Sequence, residues 1–130
     1  MGQQQVLLIV VGVIIVGISV SVALGVYRDK MHDGMTDAVV QDVHYLAWTA
    51  MQLFMRTENM DGWNGAYPAG IGISDLAPGW PGGENENGTY SVVWQSADAI
   101  TVLGTSKQFG DIRKQVTVHR TTIGPIIDQP

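Results

Sequence analysis

Cysteine is absent from all 130 residues, so neither a disulfide nor a thiolate metal site can form. Charge is scarce as well. Asp, Glu, Lys and Arg make up only 15% of the chain, and none of them precedes Arg28. Bases are the minority, 7 against 12 acids, for a formal net charge of −5. Nucleic-acid binders gather Lys and Arg on one face, and no basic patch is evident here. The histidines, His32, His44 and His119, miss metal-ligand spacings such as HxxxH and read as surface or packing residues. There is no nucleophile elbow, no phosphate loop and no carboxylate pair in a recognisable frame. These absences point away from an enzyme and away from any cofactor or metal.

What the chain has in place of charge is one long apolar run. Val6 to Tyr27 reads VLLIVVGVIIVGISVSVALGVY, and its only polar side chains before Tyr27 are Ser19 and Ser21. At 1.5 Å per residue such a run spans a hydrocarbon core of ~30 Å as a helix. A helix apolar on every face needs lipid, or many copies of itself, around it. The leader Met1-Gly2-Gln3-Gln4-Gln5 has no Lys or Arg, and the run is longer than a signal peptide's. The segment therefore reads as a retained anchor. Arg28 and Lys30 flank its far end, with Asp29 between them. On the positive-inside rule these bases favour a cytoplasmic location for the remainder of the chain, a mild conflict with any extracellular role. Gly12, Gly17 and Gly25 punctuate the anchor, and Gly17, Ser21 and Gly25 form a small-residue stripe. Such a stripe suits either an ordinary membrane helix or one built to pack closely against its copies.

A second helical pattern runs from Thr36 to Arg56. Val39, Val40, Val43, Leu46, Ala47, Ala50, Leu53 and Phe54 recur at three- and four-residue steps and make one face. His44, Trp48, Met51 and Met55 form a second stripe beside it, so one face can cover a sheet while the other meets a neighbour. Asp29, Asp33 and Asp37 line up at four-residue steps as a solvated face. Gly34 is a weak point where a bend is expected, and Asn59 and Gly62 are the expected stop. Asp61 to Asn87 is dense in Gly, Pro and Asn, has no helix or strand period, and carries Trp63, Tyr67 and Trp80. Aromatics in such a loop pin it to the core or to a partner. Strands are expected at Thr89–Gln95, Ile100–Thr105 and Lys114–Thr121, joined by short connections into an antiparallel meander. The tail from Ile123 to Pro130 adds an edge strand or packs across the sheet.

The predicted fold is α+β: a long N-terminal helix, apolar then amphipathic, packed on a small antiparallel sheet. It divides into an anchor over 1–27, an amphipathic helix over 28–60, and a loop-and-sheet region over 61–130 that makes a head with 28–60. This layout resembles the type IV pilin-like subunits. The likeness is sharpest over MGQQQVLLIVVGVIIVGISVSV, an opening similar to a group of bacterial pilin-like proteins that begin Met-Gly-Gln-Gln-Gln. AVVQDV at Ala38–Val43 and NGTYSV at Asn87–Val92 continue it. The resemblance implies a structural subunit held in the inner membrane before assembly. Pilus assembly machinery would then move it into an extracellular helical polymer of its own copies. In that family a glutamate near the start of the helix helps set register, and here no acid precedes Asp29. Gln3, Gln4 and Gln5 are the candidate replacements. The family's helix-melting proline is absent too, which leaves that role to Gly12, Gly17 and Gly25. Met1-Gly2 is the only leader available for removal.

A different reading is a monomeric membrane-anchored envelope domain that binds a partner through Trp63, Tyr67 and Trp80. Two minor features complete the candidates. Asn87-Gly88-Thr89 matches the N-glycosylation acceptor pattern, although Asn-Gly is equally good turn chemistry before a strand. The Glu84–Asn87 run offers oxygen ligands suited to calcium, against the plainer reading of a solvated loop.

Overall fold

The computed structural model describes residues 2–56, 58–60, 62–120 and 122–128. Its architecture is α+β. Helix α1 runs unbroken from Gly2 to Met55, and five strands come after a long connection: β1 (Gly88–Gln95), β2 (Ala99–Ser106), β3 (Arg113–His119), β4 (Thr122–Ile123) and β5 (Ile127–Asp128). The chain divides into two compact units, Met1–Gly34 and Met35–Pro130. The backbone at Gly34 is helical, so this glycine interrupts no helical turn.

The first unit is the apolar half of α1. Among the described residues it is the one helix long and apolar enough to cross a membrane, and none of its most apolar window is buried. Its two serine hydroxyls are satisfied within the helix. Ser19 Oγ donates to the Ile15 carbonyl at 2.8 Å, and Ser21 Oγ donates to the Gly17 carbonyl at 3.0 Å. Hydroxyls bonded in this way present no unpaired polar group to an apolar environment.

The second unit is the head. The apolar face expected on α1 is its core. Val39, Val43, Leu46, Ala47, Ala50 and Phe54 are buried, with Val40 and Leu53 half-buried at the margin. They pack with Ile100 and Val102 of β2 and Val116 and Val118 of β3. Burying one such aliphatic side chain contributes ~1.5–3 kcal/mol, so this stripe carries much of the head's stability. Gly104 shows how closely sheet and helix approach. A Cβ there would lie 2.8 Å from both Val43 Cγ2 and Tyr90 Cε1.

The sheet is the expected antiparallel meander, ordered β1-β2-β3-β4, with β5 also paired to β3. Val102 stands opposite both Val92 and Val116, and a bulge at Val92/Trp94 shifts the register of β1. The tail supplies two short strands, not one, and both add antiparallel to β3. Lys114 of β3 is paired with Asp128 of β5. Thr121 at the expected end of β3, and Gln129 and Pro130 in the tail, lie outside the described residues.

Two expectations need correction. Helix α1 ends at Met55, short of Asn59 and Gly62, and a 3-10 turn comes next at Glu58–Met60. The cause is capping from a distance. The backbone N–H groups of Trp63, Asn64 and Gly65 donate to the carbonyls of Leu53, Arg56 and Phe54 at 2.8, 2.9 and 2.8 Å. Asn64 and Gly65 take left-handed conformations, φ 50° and 80°, which lets three successive N–H groups fold back on the helix end. The connection itself is also not free of helix. It contains α2 (Ile73–Leu76) and a 3-10 turn at Pro81–Gly83. The Asp75 carboxylate accepts the Gly72 N–H at 3.0 Å, and Ile73 and Leu76 are buried in the core. One helical turn is too short to show a period in sequence. Asp61, the expected first residue of the loop, lies outside the described residues.

Candidate assembly surface

The anchor offers apolar side chains in every direction. Gln3, Gln4 and Gln5 are exposed in the first turn of α1, which holds no acidic residue. Gly12, Gly17 and Gly25 face open space, since a Cβ at any of them would meet nothing within 4 Å. Ser21, on the same stripe, is exposed. A helix of this kind can take lipid around it or the close approach of another helix.

On the head, the second stripe of α1 splits. Met51 is buried and belongs to the core, whereas His44, Trp48 and Met55 are exposed. The neighbour-facing part of α1 is therefore narrower than the sequence pattern suggested, and it includes Tyr45, half-exposed beside Trp48. Asp29, Asp33 and Asp37 are exposed as expected, and no group of acids and histidines suited to a metal forms among the described residues.

The loop aromatics are turned inward. Tyr67 is buried, with its ring centroid 4.9 Å from Phe54 and 5.6 Å from Trp63. Trp80 is half-buried between Tyr45 and Tyr90, at centroid distances of 5.6 and 5.1 Å. These rings pin the loop to the head and leave little aromatic surface for a partner. The Tyr67 hydroxyl is buried without a hydrogen-bond partner among the described residues, and burial pushes its pKa up to about 12.

A polar clamp that the sequence did not reveal holds loop, helix and sheet together. Asp42 lies on α1. Its Oδ2 accepts from Tyr90 Oη at 2.6 Å, Asn87 Nδ2 at 2.8 Å and Asn85 Nδ2 at 2.9 Å. Asn85 Oδ1 in turn accepts the backbone N–H groups of Asn87 and Gly88. Burial, followed by the bond to Asp42 and its charge, raises the Tyr90 pKa. The partners stand 43, 45 and 48 residues from Asp42 in sequence, so no local motif marks the cluster. It also revises the reading of the Glu84–Asn87 run. The two asparagines present amide donors to a carboxylate instead of oxygens to a cation. Asn87 Nδ2, the atom a glycan would need, is committed to Asp42.

The head's concavities are shallow. One of about 440 Å³ is lined by Gly79, Trp80, Pro81, Glu84, Asn85, Glu86 and Lys107. Another of about 310 Å³ lies beside β1, between Ile71–Ser74 and Tyr90–Val92. The first holds the Lys107–Glu84 ion pair, at 3.6 Å.

No family model matches this chain, and neither does any curated protein or solved structure.

Proposed function

We propose that this chain is the structural subunit of an extracellular type IV pilus-like filament. Val6–Tyr27 is its lipid anchor before assembly and part of the polymer core afterwards. The observation that carries the reading is the build of α1. One unbroken helix is apolar and exposed on every side over its first half, and forms the core of a small α+β head over its second. Lipid alone satisfies the first half. A polymer core satisfies it equally, and the open glycine stripe lets helices approach closely there. The exposed Tyr45, Trp48 and Met55 add apolar surface outside the anchor, which a lone membrane-tethered head has no need to expose.

The alternative, a monomeric envelope domain binding through its aromatic loop, loses its main support because Trp63, Tyr67 and Trp80 pack inward. Mechanical shearing of producing cells separates the two. The filament reading expects the chain in the sheared fraction, in fibres visible by electron microscopy. Recovery of the chain only from detergent-extracted membrane would sink it. A reporter fused after Pro130 tests topology, and a cytoplasmic signal contradicts both readings.

A further inference from the structure

The outward face of α1 in the head carries an aromatic platform. Tyr45 and Trp48 lie about one turn apart and are each 53% exposed. The Tyr45 half of it is held in place. Tyr45 leans on Trp80 at 5.6 Å, and Trp80 rests on the buried Tyr90 at 5.1 Å. Ring faces held in this way carry negative electrostatic potential and attract a cation, a planar guanidinium most of all.

A matching pair of cations stands elsewhere on the chain. Arg28 and Lys30 are exposed and make no ion pair among the described residues. In contrast, Lys107, Lys114 and Arg120 are paired with Glu84, Asp128 and Asp98. The two bases come directly after the apolar stretch, on the side where positive charge works against export of the head. A role after assembly would offset that disadvantage.

We propose that the Tyr45–Trp48 face of one copy receives Arg28 of a second copy, with Lys30 at the rim of the contact. This rests on the filament reading, in which membrane-inserted copies run parallel. The contact then fixes their offset. Arg28 meets Trp48 only if neighbouring helices are staggered by roughly 20 residues, or ~30 Å at 1.5 Å per residue. That stagger supplies register to a helix whose first turn holds no acid to set it. It also gives chains of net charge −5 an attraction that needs no acidic partner.

The absence of cysteine makes the test clean. Leu24→Cys and His44→Cys, one turn before Arg28 and Trp48 respectively, are introduced singly and together into the full chain, which leaves both halves of the contact intact, and cells are treated with a short bis-maleimide. Each single variant can be linked no further than a dimer. The double variant should give a ladder of dimers, trimers and longer species, because each copy then carries a cysteine beside each half of the contact. Both positions are exposed, and circular dichroism of each variant checks that the fold is intact. Fibres in the double variant without a ladder beyond dimers would overturn the contact while leaving the filament reading in place. If no fibres form even in the unsubstituted protein, the filament reading fails. The contact then falls with it, because parallel anchors in one bilayer lie in register and cannot take the ~30 Å stagger that it requires.

Discussion

Removing the Asp42 carboxylate is the sharpest test of how the head is held together. One oxygen of that side chain receives three hydrogen bonds, at 2.6, 2.8 and 2.9 Å. In Asp42→Ala all three donors lose their acceptor, with unequal consequences. Asn85 and Asn87 are half-buried and can turn toward water, losing ~0.5–1.5 kcal/mol each. Tyr90 is buried, and an orphaned hydroxyl there costs ~1–3 kcal/mol. The sum is about 2–6 kcal/mol, a large part of the stability of a head this size. Urea unfolding of the full chain in detergent, tracked by tryptophan fluorescence, reads it directly, since Trp80 rests on Tyr90. With a slope near ~1.5 kcal/mol/M the midpoint should fall by ~1.3–4 M at unchanged slope. A double-mutant cycle with Tyr90→Phe should show coupling well above the ~0.5 kcal/mol scatter of independent sites. A midpoint shift below ~0.5 M, or strict additivity with Tyr90→Phe, would refute the clamp.

Three further outcomes are expected. Gly104→Ala places a methyl 2.8 Å from Val43 and Tyr90, so it should destabilise the head by ~1–3 kcal/mol in the same urea assay. The Tyr67 phenol, raised from 10.0 to about 12, keeps its proton in the folded state while the unfolded chain releases it. The folded state thus binds more protons above pH 10, and stability should fall by ~1.4 kcal/mol per pH unit up to the folded pKa. Tyr67→Phe should flatten that alkaline loss and, by deleting a hydroxyl without a partner, leave stability at neutral pH equal or higher. Ile14→Lys puts a charge in the middle of the anchor at a cost of ~2.5–3.5 kcal/mol for insertion. The chain should leave the membrane fraction on cell fractionation while its far-ultraviolet circular dichroism keeps the signature of the folded head.

The fold was legible where periodicity is strong. The three- and four-residue spacing from Val39 to Phe54 marked the buried face of α1, and alternation with β-branched residues marked β1, β2 and β3 to within a residue or two. Features fixed by contacts between distant residues were not legible. Helix α1 stops at Met55 because Trp63, Asn64 and Gly65 come back to cap it. The stop signals in the local sequence, Asn59 and Gly62, lie beyond that point. Met51 looked like part of an outer stripe, and the head closes over it instead. Asp42 was the largest omission. In sequence it is one polar residue on a helix, and only folding brings it to Asn85, Asn87 and Tyr90. Of the candidate assembly residues, the anchor glycines and glutamines are exposed as their proposed role requires. The loop aromatics serve the core.

The central proposal is that Val6–Tyr27 exchanges lipid for copies of itself. Electron cryo-microscopy of fibres sheared from producing cells tests it most directly. The account predicts a fibre core of closely packed parallel helices whose side-chain density matches VLLIVVGVIIVGISVSVALGVY, with the α+β heads outside. Fibres built from another protein, with this chain recovered only from the membrane, would contradict it.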